Sequence, residues 1–349
     1  MRRDYSQTPL VVTWEVSQAC ELMCDHCRAD ANPDRDPNEL TTDEGKALFD
    51  QVTEFGSPSP IVVLSGGDPL ERPDLYELLE YADAIELPTA VTPAPTSSLT
   101  DSVLDRLVDV GVRRIALSLD GATPERHDAF RGETGSFDTI RRAAEHARDI
   151  GLSIQINTTV TGTTVDDLPK IANLVESFDA AMWEVFFLVP IGRGSELEQL
   201  TPKEAERTLE WLYRCGRTTD FRLITVEAPR YRRVAKRVES EERGETPTVG
   251  STGDGNGFVF VSHTGSVYPS GFLPLEAGRI PESDLVDVYR NSALFRLLRD
   301  PDGFAGPCGS CPHRSFCGGS RARAFAAIGD PFGSDPLCVR AARGLPAND

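Results

Sequence analysis

An alternation of strand-like and helix-like segments over residues 11 to about 190 constrains this chain more than any other feature. Apolar, β-rich runs fall at 11–16, 61–64, 84–91, 114–119, 153–160 and 183–189. Helical patterns lie between them, at 43–55, 74–82, 101–110, 137–150 and 166–178. Thr42 ahead of Asp43-Glu44 and Thr100 ahead of Asp101 read as N-caps. Repeated β-α units predict an α/β fold with a parallel sheet covered by helices. Six strands are too few for an eight-stranded barrel, so a partial barrel is expected, with ligands at the C-terminal ends of its strands. Beyond it, 201–215 and 229–242 read as helices, and the Gly/Ser/Thr-rich stretch 243–257 reads as a linker or mobile loop. A hairpin is expected at 258–268, turning at His263-Thr264-Gly265.

The first strand run leads into three cysteines, Cys20, Cys24 and Cys27, spaced C-x3-C-x2-C. Three thiolates on one loop suit a cubane iron–sulfur cluster, because soft sulfur ligands favour such centres. No fourth cysteine follows until Cys215, so one iron is left open for a substrate or cofactor. A structural zinc site or buried free cysteines are the alternatives. Cys215 stands alone in a helical pattern and reads as core packing. The remaining four, Cys308, Cys311, Cys317 and Cys338, form a second group in the tail, able to close a cluster completely or to bind zinc.

Composition narrows the class. The chain has 349 residues, 39 % of them apolar, enough for one large core or two domains. No apolar run is long enough to span a membrane, and the first residues lack the apolar stretch of a signal peptide. A cytoplasmic location is expected, where reduced thiols favour metal binding over disulfides. The net charge of −19, from 36 basic and 55 acidic residues, repels nucleic acid. Lysine occurs only at Lys46, Lys170, Lys203 and Lys236. Acidic surface with little lysine is similar to that of proteins from salt-loving archaea.

Polar loops follow successive strands: Ser65-Gly66-Gly67-Asp68-Pro69, Ser118-Leu119-Asp120-Gly121, Asn157-Thr158-Thr159 and Pro190-Ile191-Gly192-Arg193-Gly194. The glycine pair lets backbone approach a ligand, and Ser118 and Asp120 are placed to hold a ribose. Four such loops beneath a cysteine loop make a constellation.

These runs, with His127-Asp128-Ala129-Phe130-Arg131-Gly132, resemble the radical S-adenosylmethionine (radical SAM) family. The resemblance covers roughly 9–339, and the Phe–Arg–Gly segment is similar to the subgroup with a C-terminal cluster domain, called SPASM or, shortened, twitch. It implies a partial (β/α)6 radical SAM core over 9–195, a helical extension and linker over 196–256, and a small SPASM/twitch-like domain over 257–349. It implies that Cys20, Cys24 and Cys27 hold a [4Fe–4S] cluster whose fourth iron takes the amine and carboxylate of S-adenosyl-L-methionine. Gly66, Gly67 and Asp68 would meet the amine; the family acid is often glutamate, one methylene longer. Ser118, Asp120 and Asn157 would face the ribose or carboxylate. Arg131 and Arg193 would pair with the cofactor carboxylate or a substrate acid, surface salt bridges being the alternative. Met23, His26 and Arg28 line the cysteine loop.

In the tail, Ser320 and Ser270 stand where relatives with two auxiliary clusters carry cysteine. One ligand set is absent as a group and the other is complete. The resemblance therefore implies one auxiliary [4Fe–4S] cluster on Cys308, Cys311, Cys317 and Cys338, able to receive an electron from a substrate radical, with zinc as the alternative. The stretch from Trp14 to Cys20, with His26-Cys27-Arg28-Ala29, looks like the haem-pathway branch. The expectation is oxidative decarboxylation of an iron porphyrin, with Arg193 and Arg323 as candidate propionate partners, Arg321 and Arg323 reading otherwise as a solvated helix face. Ferredoxin or flavodoxin would supply electrons. The alternatives are a peptide-modifying maturase of the pyrroloquinoline-quinone or mycofactocin type, and a non-catalytic two-cluster electron carrier.

Overall fold

The computed structural model describes residues 4–243 and 252–342; most of the expected linker, 244–251, lies outside the described residues. The apolar runs become strands β1 (Val11–Ser17), β2 (Ile61–Gly66), β3 (Thr89–Val91), β4 (Arg114–Ser118), β5 (Ser153–Val160) and β6 (Met182–Phe187). Each pairs parallel with the next. Helices α1 (Thr42–Thr53), α2 (Leu75–Ala84), α3 (Asp101–Asp109), α4 (Pro124–Arg131), α5 (Ser136–Asp149) and α6 (Leu168–Ser177) fill the crossovers. Two expectations shift. The run 84–91 is mostly not strand: Ala84 ends α2, Glu86 turns the chain at φ 56°, and only Thr89–Val91 pairs. The α1 cap is Thr41, one residue earlier than expected, in a reciprocal capping box with Glu44. Thr100 caps α3 as expected.

The strand count also changes. After α7 (Pro202–Cys215), strand β7 (Arg222–Val226) adds parallel to β6, and α8 (Tyr231–Arg243) follows. The expected hairpin forms as β8 (Phe258–Val261) and β9 (Ser266–Tyr268), with β10 (Gly278–Arg279) beyond it. Strand β8 pairs parallel with β1, so among the described residues eight parallel strands run in one open sheet, ordered β10-β9-β8-β1-β2-β3-β4-β5-β6-β7.

Alternate strand residues face the helices and are fully buried, among them Val12, Trp14, Val62, Leu64, Ile115, Leu117, Ile156 and Trp183. Burying each such side chain contributes about 1.5–3 kcal/mol. Gly45 shows how tightly α1 lies on the sheet: a Cβ there would sit 2.5 Å from the Trp14 ring. The other strand face lines the lumen. Ser118, Asn157 and Glu184 are register partners across β4, β5 and β6 and so share one level of that face. Two residues further along β6, Phe186 meets Phe272 from the tail at 6.2 Å between ring centroids; on β8, beside Thr13, Phe260 stacks on Tyr268 at 6.1 Å.

Candidate functional site

The cysteine loop leaves the C-terminal end of β1. Its three thiols are free of disulfides, Cys20 and Cys24 buried and Cys27 half-buried. Neighbouring elements fix its backbone. Arg193 donates through Nε to the Cys24 carbonyl at 2.9 Å and through Nη1 to the Ala31 carbonyl at 2.9 Å, and its own amide donates to the Cys27 carbonyl at 3.0 Å. Gly192, at φ 53°, has no room for a side chain: a Cβ would meet the Cys27 oxygen at 2.4 Å. On the other side the end of α4 closes in. Phe130 accepts from the Asp25 amide and stacks on His26, the centroids 4.8 Å apart, while Arg131 pairs with Asp120 at 3.3 Å.

The electrostatics favour an anionic group beside the loop. Burial opposes the charge on Arg131, but Cys24, Asp120, Cys20 and Cys27 outweigh it and hold the guanidinium protonated. Its Nε and the Nη2 of Arg193 are buried without hydrogen-bond partners. Burial pushes the Cys20 thiol up to about 12 and raises Cys24 as well. A soft metal centre supplies the positive charge that such buried thiolates need.

The Gly66-Gly67-Asp68 turn packs on the same loop. A Cβ on Gly67 would lie 2.3 Å from the Ala19 carbonyl oxygen and one on Gly66 2.3 Å from that of Ser17. The glycines therefore admit the first loop's backbone on this side, a role beyond the ligand approach expected of them. Asp68 is fully buried. Its Oδ1 accepts from the Leu70 and Ala94 amides, whereas Oδ2 has no partner. Burial raises this carboxyl to about 6. An unmatched buried acceptor here suits a cationic amine.

Asp120 accepts through Oδ1 from the Thr159 amide at 2.7 Å, and its own amide donates to His127 Nδ1 at 3.1 Å. Ser118, the last residue of β4, pairs with Asn157, which lies within β5; the run Asn157-Thr158-Thr159 is therefore strand and not the loop expected after it. Burial drives Glu184, on the same level, up to about 7 against the pull of Arg114 and Arg222.

In the tail, Cys308, Cys311, Cys317 and Cys338 line one cavity with Gly318, Gly319, Arg230 and Arg233. Gly319, at φ 75°, brings backbone against the Cys308 sulfur: a Cβ would stand 3.2 Å from it. Among the described residues no three His, Cys, Asp or Glu side chains converge on a point suited to one metal ion. The four cysteines share this one cavity, and four thiolates can close a cluster completely.

Comparison with known proteins gives the family. The Radical SAM superfamily model matches residues 14–175. An AdoMet-dependent heme synthase of Oleidesulfovibrio alaskensis is 39 % identical over 99 % of this chain and 91 % of its own length. This chain is a radical SAM enzyme. Mycofactocin maturase MftC of Mycobacterium tuberculosis is 32 % identical over 95 % of the chain and 83 % of its own length. In fold, the radical SAM chain matches Streptococcus suis SuiB, solved with S-adenosylmethionine, at TM-score 0.74 and 16 % identity, covering 95 % of this chain and 78 % of that one. Its cofactors are a [4Fe–4S] cluster and S-adenosyl-L-methionine. Among the described residues no helix is long and apolar enough to cross a membrane.

The arginine readings need correction. Arg323 is fully buried and donates to the Leu188, Phe187 and Glu227 carbonyls and to Asp335. Arg321 is buried and donates to the Gly319, Pro331 and Gly333 carbonyls. Neither lies on a solvated helix face, and Arg323 has no nitrogen left for a propionate. Arg193 clamps the cysteine loop. Two features escaped the sequence. Glu15 on β1 joins Arg28 and the hairpin-turn His263, each at 2.7 Å. Burial pushes the Glu15 carboxyl up, but these two cations outweigh it and hold it at about 2. The other is Arg230, which no motif marks.

Proposed function

We propose that this enzyme removes carboxyl groups from the propionates of an iron porphyrin in haem formation. The observation that carries this reading is the 39 % identity to a haem synthase across 99 % of the chain, against 32 % to the peptide maturase. The lumen supports it: Phe186, Phe272 and Tyr268 are half-buried around the strand ends, and flat apolar rings suit a macrocycle. Arg28, over the Phe260 ring at 4.6 Å and partly exposed, is the candidate for a propionate.

In this reading Cys20, Cys24 and Cys27 hold the open cluster, and Cys308, Cys311, Cys317 and Cys338 hold the auxiliary one. Asp68, through its unmatched Oδ2, accepts from the cofactor amine, beside Gly66 and Gly67. Ser118, Asp120 and Asn157 hold the ribose side, Arg131 balances the negative charge of the cluster, and Arg193 keeps the loop in place. The reduced open cluster with S-adenosyl-L-methionine supplies a 5′-deoxyadenosyl radical, and the auxiliary cluster supplies a one-electron acceptor. Loss of a hydrogen atom from a propionate β-carbon, then of carbon dioxide and one electron, leaves a vinyl group. Ferredoxin or flavodoxin is the proposed donor in the cytoplasm. The division at 9–195, 196–256 and 257–349 separates radical formation from the tail cluster. The acidic, lysine-poor surface is read as an adaptation to concentrated salt.

The test is an anaerobic assay with iron-coproporphyrin III and, separately, didecarboxysirohaem. The expected result is one 5′-deoxyadenosine per vinyl group formed, with the matching loss of carbon dioxide by mass. Unchanged porphyrins, together with crosslinking of a small peptide encoded nearby, would transfer the case to the maturase reading, which the 32 % relative favours.

A further inference from the structure

Arg230 sits between β7 and α8 and is 1 % exposed. Its Nε, Nη1 and Nη2 are all buried without a hydrogen-bond partner. A guanidinium offers five donors and cannot shed its charge, so burying it unmatched is costly. Its nearest carboxylate, Asp335, is 3.8 Å away, an ion pair without hydrogen-bond geometry. That carboxylate is already engaged, by Arg323 at 3.3 Å and by the Ser320 and Leu337 amides. Other arginines nearby are satisfied differently. Arg232 is tied to the Phe316 carbonyl and Arg321 to the carbonyls of the tail loop, while Arg233 is held by Glu206 through Nη2 and leaves only its Nε unmatched. Arg230, with all three nitrogens unmatched, lines the cavity of Cys308, Cys311, Cys317 and Cys338, as Arg233 also does.

We propose that Arg230 donates hydrogen bonds to the sulfurs of the tail cluster and raises its reduction potential. The proposal rests on the assignment of that cluster to the four tail cysteines. A [4Fe–4S] core with four thiolates is doubly negative when oxidised and triply negative when reduced. A buried cation that hydrogen-bonds to its sulfurs stabilises the reduced form more, so the potential rises. The low dielectric around Arg230 strengthens the effect. The same contact satisfies donors that the folded protein leaves open, which explains how a buried, unmatched guanidinium is tolerated. Arg230 is thus a positioning and tuning residue, favouring electron uptake by the tail cluster.

The experiment is a redox titration of the reconstituted holoenzyme followed by electron paramagnetic resonance. S-adenosyl-L-methionine perturbs the signal of the open cluster and leaves that of the fully ligated one, which identifies the tail signal. Arg230→Gln is expected to raise the oxidised-to-reduced ratio of that signal about tenfold at the parent midpoint, equal to about 59 mV for one electron. Arg230→Lys, which keeps the charge, shifts it less. In protein labelled with 15N only in the arginine guanidino groups, the reduced tail cluster is expected to show a nitrogen coupling that Arg230→Lys removes. An unshifted midpoint in Arg230→Gln with iron retained overturns the proposal, and so does absence of the coupling in the parent chain. If the parent chain holds only about four irons and no cofactor-insensitive signal, the tail-cluster assignment itself fails.

Discussion

Single residues divide into those whose chemistry is legible in sequence and those whose burial is not. The seven clustered cysteines and Gly66-Gly67-Asp68 announce themselves by spacing. Arg193, Arg321 and Arg323 do not, because an arginine's sequence context says nothing about which carbonyls it will find; all three turned out to hold backbone in place. Asp68 gives the sharpest test. Its unmatched Oδ2 predicts that Asp68→Asn raises Kd for S-adenosyl-L-methionine about tenfold or more, the loss of one charge-assisted bond. Isothermal titration against the reconstituted protein measures it, and an unchanged affinity would remove Asp68 from the cofactor. Glu15 and His263 give a pH test. The Glu15 carboxyl lies at about 2 when folded, below its ordinary 4.5, so its contribution is full above pH 4.5 and fades as pH falls towards 2. His263 is raised above its ordinary 6.5, chiefly by its bond to Glu15, and Asp36 and burial also act on it. Its contribution is full below pH 6.5 and is lost as pH rises through the raised value. His263→Gln should therefore cost most between about pH 4.5 and 6.5, roughly 1–2 kcal/mol, and less at higher pH. Thermal melts across that range would show it; a uniform loss at all pH values would contradict the charge pairing.

Elements were readable where period and caps agreed. The β5 run 153–160 is strand over its whole length, and α7 starts at a Thr201–Glu204 capping box. The run 84–91 misled because an apolar stretch of that length suits a helix end as well as a strand. Strand β7 has no fully buried residue, so it lacks the alternation that marks a strand in sequence. The loops joining strands to helices owe their shape to contacts between turns distant in sequence. The β2 turn lies on the β1 turn with no space between them, and Gly67→Ala would push a methyl into the Ala19 and Gln18 carbonyls, at 2.3 and 2.5 Å. We expect this variant to fold, keep the tail iron and lose much of the iron of the first loop, so that iron per chain drops from about eight towards four. Full iron content in Gly67→Ala would mean that the two turns can separate freely.

On the scale of the whole molecule, charge and sheet continuity matter most. A net charge of −19 on 349 residues predicts strong dependence on salt, because unscreened acids repel one another. The melting temperature should rise by more than about 5 °C between 0.1 and 2 M potassium chloride, as scanning calorimetry would register; a flat profile would count against adaptation to salt. The open sheet carries a different message. Strand β8 belongs to the tail by sequence, yet it pairs with β1 along Val11–Trp14, and the Glu15–His263 contact lies just beyond. Without it, β1 would become a bare edge displaying unpaired amides next to the cysteine loop. A chain cut back to residues 1–256 should then gather into aggregates during expression, with no smaller working enzyme left behind. A soluble, monomeric fragment that still cleaves S-adenosyl-L-methionine would disprove this. The tail thus acts as a splint for the first strand: any lineage that discarded its second cluster would have to keep the hairpin, or evolve another cover for that edge.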